Sequence, residues 1–107
     1  MNNKTVTPDA VRDFILRELP LVTTLLFKKI EVGDDDILQE QYEADDIAEM
    51  AEKFFHDFNV EPEGFSTAAY FPWKTPSLFS RPPVKQDKKP LTIRMFTESA
   101  RAGRWLF

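Results

Sequence analysis

Cysteine is missing from this 107-residue chain, which excludes a disulfide framework, a thiolate metal site and a cysteine nucleophile. A reducing compartment suits such a chain. Only three glycines are present, and they form neither a Gly-rich phosphate loop nor a nucleophile elbow. The single histidine, His56, is followed by Asp57, but adjacent residues on a helix point about 100° apart. His56 therefore reads as a helix-surface residue, not a general base. With no metal-ligand cluster visible, an enzyme is not expected, and no cofactor or metal is called for. No stretch reaches the roughly 20 apolar residues that span a bilayer, and no apolar segment follows Lys4 as a secretory leader would require. A cytoplasmic protein without a membrane partner is the expectation.

What is present is apolar and aromatic. Hydrophobic residues make up 42% of the chain and ten are phenylalanine, which points to a packed, Phe-rich core. The length suits one domain, residues 1–107, with a single modest core. Charge is segregated along the chain. Residues 31–63 hold thirteen acids against Lys53 alone, whereas from Lys74 onward eight bases face Asp87 and Glu98. That polarity fits two arrangements: the halves attract each other across the fold, or one presents a charged face to a partner.

The clearest helical pattern lies between Glu43 and Phe58. Ile47, Met50, Ala51, Phe54 and Phe58 share one stripe of a 3.6-residue helix and predict a core-facing side. Asp46 with Glu49 predicts a capping box, and Asp45 and Asp46 suit the dipole at a helix start. Glu49, Glu52, Lys53, His56 and Asp57 fall on the wet side, and Asn59 is placed to cap the end.

An earlier helix is predicted from Pro8, with Thr7 as N-cap and Val11, Phe14, Ile15 and Leu19 inward. It ends by Leu19, because Pro20 disfavours helical geometry in the residue before it. Residues 21–32 fit either strand or helix. Gly33 followed by Asp34, Asp35 and Asp36 predicts a turn. The three carboxylates are contiguous, whereas a calcium loop spaces its oxygens at alternate positions, so a solvated acidic loop is expected. Ile37, Leu38 and Tyr42 should tuck the connection onto the core, and residues 65–71 should form a short helical turn. A last helix is predicted after Thr92, with Ile93, Phe96, Ala100 and Gly103 as its buried stripe and Leu91 stapled to Phe96. Trp105, Leu106 and Phe107 should dock on the core.

Between the last two elements, residues 72–90 are rich in proline and aromatics, too interrupted for a buried helix or central strand. Trp73, Leu78 and Phe79 suit a loop pinned to the body of the domain. Alternatively, Trp73, Phe79 and Arg81 suit a partner-binding loop, tryptophan and arginine being enriched at interface hot spots. Lys85, Lys88, Lys89, Arg94, Arg101 and Arg104, with Trp73 and Phe79, raise nucleic acid as a partner. The acidic half would repel phosphate and no binding motif is legible, so that reading ranks below a protein partner.

The order of elements resembles the acyl carrier protein fold, with Ala44-Asp45-Asp46-Ile47 standing where carriers have Asp-Ser-Leu. Phe55-His56-Asp57-Phe58-Asn59-Val60-Glu61-Pro62 stands where carriers end the second helix with a phrase like Glu-Glu-Phe-Asp-Ile-Glu-Ile-Pro. The closing run from Pro90 to Trp105 also resembles that of a family of small cytoplasmic enterobacterial proteins with such a fold. The resemblance implies a mainly α, acyl carrier protein-like three- to four-helix bundle carrying the 72–90 insertion. The carrier serine position is occupied by Asp46, whose carboxylate cannot take a phosphopantetheine arm through a phosphodiester. The implied role is a non-enzymatic interaction or regulatory module that meets a basic protein surface through Asp45, Asp46, Glu49 and Glu52. The alternative is a genuine carrier modified at a non-standard serine among Ser66, Ser77, Ser80 and Ser99.

Overall fold

A computed structural model describes residues 6–19, 32–73 and 88–107. Among them the protein is mainly helical: α1 spans Pro8–Glu18, α2 Ala44–Asp57 and α3 Ile93–Ala102, with single-turn 3-10 helices at Leu38–Glu40 and Thr67–Ala69. No helix among the described residues is long and apolar enough to cross a membrane. Residues 21–31, and Leu78, Phe79 and Arg81 of the insertion, lie outside the described residues.

Each helix begins and ends for a local reason. The Thr7 hydroxyl accepts from the Ala10 N–H at 3.0 Å behind Pro8, and the Thr92 hydroxyl accepts from the Met95 N–H at 3.3 Å, each satisfying an orphan donor. The predicted capping box on α2 is not formed. Helix α2 starts three residues earlier, with Glu43 as an extended N-cap whose side chain makes no capping bond. The preceding 3-10 turn, closed by Tyr42 N–H to Leu38 C=O at 2.9 Å, delivers the chain to Glu43. Asp45 and Asp46 therefore sit inside the first turn, compensating the dipole.

The end of α2 is a Schellman closure, and its pivot is Asn59 at φ 53°. The Val60 N–H reaches Phe55 C=O at 2.9 Å and the Asn59 N–H reaches His56 C=O at 3.3 Å, a pattern that needs a left-handed residue. Asn59 is thus the residue beyond the cap, Phe58. Helix α3 ends on Gly103 at φ 78°. Gly103 was expected in the buried stripe but is exposed, because its work is conformational.

Helix α1 packs against both α2 and α3. Val11, Phe14 and Ile15 of α1, Ile47, Met50, Ala51, Phe54 and Phe58 of α2 to its end, and Ile93, Phe96 and Ala100 of α3 are buried in one cluster. Leu91 and Phe96 are both fully enclosed there. Aromatic edges run through the core: Phe54 meets Phe96 at 5.0 Å and Phe96 meets Trp105 at 5.0 Å between centroids. The Trp105 indole N–H donates to the Tyr70 hydroxyl at 3.2 Å. Of the closing apolar trio only Trp105 docks, while Leu106 and Phe107 are exposed.

Gln39 joins three segments. It is buried, donates to Lys89 C=O at 2.6 Å and accepts from the Leu91 N–H at 2.8 Å, with Tyr70 C=O at 3.4 Å. Leu38 N–H to Leu91 C=O at 2.8 Å and Lys89 N–H to Ala69 C=O at 3.1 Å complete the junction. The chain entering α3 is thereby held against both 3-10 turns. An isolated parallel bridge pairs Glu61 with Arg104 and ties the segment after α2 to the segment after α3.

Candidate functional site

The acid-rich half divides in two. The Asp34–Asp36 turn belongs to the fold: Asp34 pairs with Arg12 at 3.0 Å, and Arg94 donates through Nε and Nη2 to both oxygens of Asp35, the latter at 2.9 Å. The Asp36 carboxylate accepts from the Gly33 N–H at 2.7 Å. The loop was expected to be solvated, and Asp35 and Asp36 are exposed; the carboxylates of Asp34 and Asp35 in addition latch it to α1 and α3. The hydrogen bond from Arg94 holds the Asp35 carboxyl below its ordinary range.

The acids of α2 are differently placed. Lys53, the one base in residues 31–63, turns to Glu18 of α1 at 3.1 Å, and that hydrogen bond raises its pKa. Asp45, Asp46, Glu49 and Glu52 have no ion-pair partner among the described residues. They do not form one even patch. At about 100° per residue, Asp45, Glu49 and Glu52 share a stripe, and all three are exposed. Asp46 lies on the far flank and is half-buried.

Beside the acidic stripe runs a second apolar one that the core pattern had obscured. Ala44, Ala48, Ala51 and Phe55 follow i, i+4, i+7 and i+11 on α2. They border two depressions that share Thr67. One, of about 390 Å³, is lined by Ala48, Ala51, Glu52, Phe55, Pro62 and Phe65, with Ser66 and Thr67. The other, of about 560 Å³, lies at the start of α2 and includes Tyr42, Glu43, Ala44, Thr67, Phe71 and Trp73. The second 3-10 turn thus faces α2 across a cleft with small residues on the helix side. Burial pushes the Tyr42 phenol pKa up, so it remains neutral.

Trp73 is half-buried at the cleft, in the larger depression, which none of Asp45, Asp46, Glu49 and Glu52 lines. Its two expected companions, Phe79 and Arg81, lie outside the described residues. His56 Nδ1 stands 3.2 Å from Asp57 Oδ1. The two were expected to point apart; their side chains nevertheless meet, because surface rotamers can close the angle between neighbouring backbone vectors. His56 remains largely exposed. Of the described serines, Ser99 is fully buried and its hydroxyl accepts from the Leu106 N–H at 3.1 Å. Ser66 is exposed and caps the second 3-10 turn through the Ala68 N–H at 3.2 Å.

Sequence reasoning did not single out Gln39, Glu43, Thr67 or Phe71. For the α2 side of the cleft a signal existed in the alanine spacing. For the opposite wall there was none, since its approach depends on hydrogen bonds distant in sequence. Among protein families, residues 6–107 match DUF1493, described as a protein of unknown function. No curated protein and no solved structure matches the chain.

Proposed function

The chain belongs to the DUF1493 family, and from its surface we propose a non-enzymatic, acyl-carrier-like interaction module that docks on a basic protein surface through α2. One observation carries this reading: the only Lys or Arg in the acid-rich segment pairs with Glu18, leaving Asp45, Glu49 and Glu52 without an ion pair among the described residues beside an apolar cleft. A surface with charge on its rim and apolar area at its centre is suited to steering and then holding a partner. Asp46, at the position matching the carrier serine, contributes negative charge but no attachment oxygen of the required kind. Trp73 extends the apolar area at the far end of the cleft.

A carrier modified elsewhere is the second reading, and among the described serines it rests on Ser66, exposed on the cleft wall. Enclosure of the Ser99 hydroxyl argues against that position. The test is affinity purification from the native host with the wild-type chain and with Glu49→Lys/Glu52→Lys. A companion protein held by the wild type and lost by the double variant supports docking through α2. Retention of the same companion at the same level refutes it.

A further inference from the structure

Tyr42, Phe71 and Trp73 differ from every other described aromatic side chain. The remaining rings each pack against a second ring, whereas these three have no ring partner among the described residues. All three line the same depression, of about 560 Å³, at the start of α2. Glu43 lines it too, and although it occupies the N-cap its carboxylate caps nothing. Thr67 adds a hydroxyl from the opposite wall.

Faces of aromatic rings attract a cation, and a carboxylate beside them adds charge and hydrogen-bond acceptors. The amides at a helix start ordinarily favour an anion. Here Glu43, Asp45 and Asp46 put three carboxylates around that end, which reverses the preference. Resting on the α2 docking reading, we infer that this depression is a receptor for an arginine side chain of the basic partner. The guanidinium is planar, stacks on aromatic faces and forks onto a carboxylate, matching the half-buried rings of Phe71 and Trp73 and the exposed Glu43, while Tyr42 is buried. The depression is larger than one side chain needs, leaving room for the residues that flank the arginine.

The experiment is an NMR titration of the full chain with a short acetylated peptide amide bearing one arginine among glycines. Its controls are the same peptide with citrulline, which keeps the shape and loses the charge, and free agmatine. The Trp73 indole N–H is told from that of Trp105 by the spectrum of Trp73→Leu. The expected result is a saturable shift of the Trp73 signal by the arginine peptide, with the citrulline peptide and the Glu43→Gln variant each weakened about tenfold. Because the Glu43 side chain makes no capping bond, Glu43→Gln should keep the helical far-UV signal and read the charge alone.

Equal binding of the citrulline peptide, or an unchanged affinity in Glu43→Gln, overturns the proposal. Tighter binding of agmatine than of the peptide also overturns it, by making the site one for a small free guanidino compound and not for a partner's side chain. The two readings fail separately. A silent titration with a companion still lost in Glu49→Lys/Glu52→Lys removes the arginine receptor alone. A positive titration with the companion retained removes docking through α2 alone.

Discussion

Replacing Gln39 with methionine should cost the protein a large part of its stability. The substitution keeps length and volume but removes the amide that accepts from the Leu91 N–H at 2.8 Å and donates to Lys89 C=O at 2.6 Å. Leu91 is fully buried, so its N–H loses its partner with no water to replace it. Lys89 is exposed, and its carbonyl recovers part of the loss from solvent. An unsatisfied buried group costs about 1–3 kcal/mol, which puts the two together at about 2–4 kcal/mol. Against a total of about 5–15 kcal/mol for a domain, that lowers the melting temperature by about 8–25 °C. Urea unfolding followed by far-UV circular dichroism gives the difference directly, and hydrogen exchange at the Leu91 amide reports where it arises. A loss under about 1 kcal/mol with Leu91 exchange unchanged would refute Gln39 as the junction between α3 and the two 3-10 turns.

Asn59→Ala should destabilise by about 1 kcal/mol, since alanine tolerates left-handed backbone poorly, whereas Asn59→Gly should be neutral or stabilising; paired urea midpoints decide. Tyr70→Phe removes the acceptor for the Trp105 indole and should cost about 1–2 kcal/mol, with Trp105 fluorescence reporting the rearrangement. Arg94→Gln tests the acidic latch by its pH dependence. The folded Asp35 pKa lies below 3.8, chiefly through the Arg94 hydrogen bond, so the unfolded chain takes up the proton first as pH falls. Its stabilising contribution is present above 3.8 and lost as pH drops through the lower folded value. Arg94→Gln should thus be less stable near neutrality, with the gap closing in acid; a gap independent of pH would count against the latch.

The helices were legible because their signals are local. Thr7-Pro8 and Thr92 announce helix starts through capping chemistry, and the spacing of Ile47, Met50, Phe54 and Phe58 declares a core face without reference to the rest of the chain. The start of α2 was misplaced because Asp46 and Glu49 offered a better local cap than Glu43, while the preceding 3-10 turn set the entry to the helix. The roles of Gln39 and of the acidic turn escaped for a different reason. Their partners are Lys89, Leu91, Arg12 and Arg94, and no periodicity connects residues that far apart. The cleft shows both behaviours. Its helix wall can be read from Ala44, Ala48, Ala51 and Phe55, but the ring-lined end depends on Tyr42 and the Phe71–Trp73 segment lining one depression from places distant in sequence.

The most direct test of docking through α2 is a pair of mass spectra, denaturing and native, of the chain and of Glu49→Lys/Glu52→Lys purified gently from the same host. The account predicts an unmodified polypeptide mass under denaturing conditions. It also predicts a bound basic protein in the native spectrum of the wild type that is missing from the double variant. A denatured mass heavier by one phosphopantetheine, or the same protein bound equally to both forms, would contradict it.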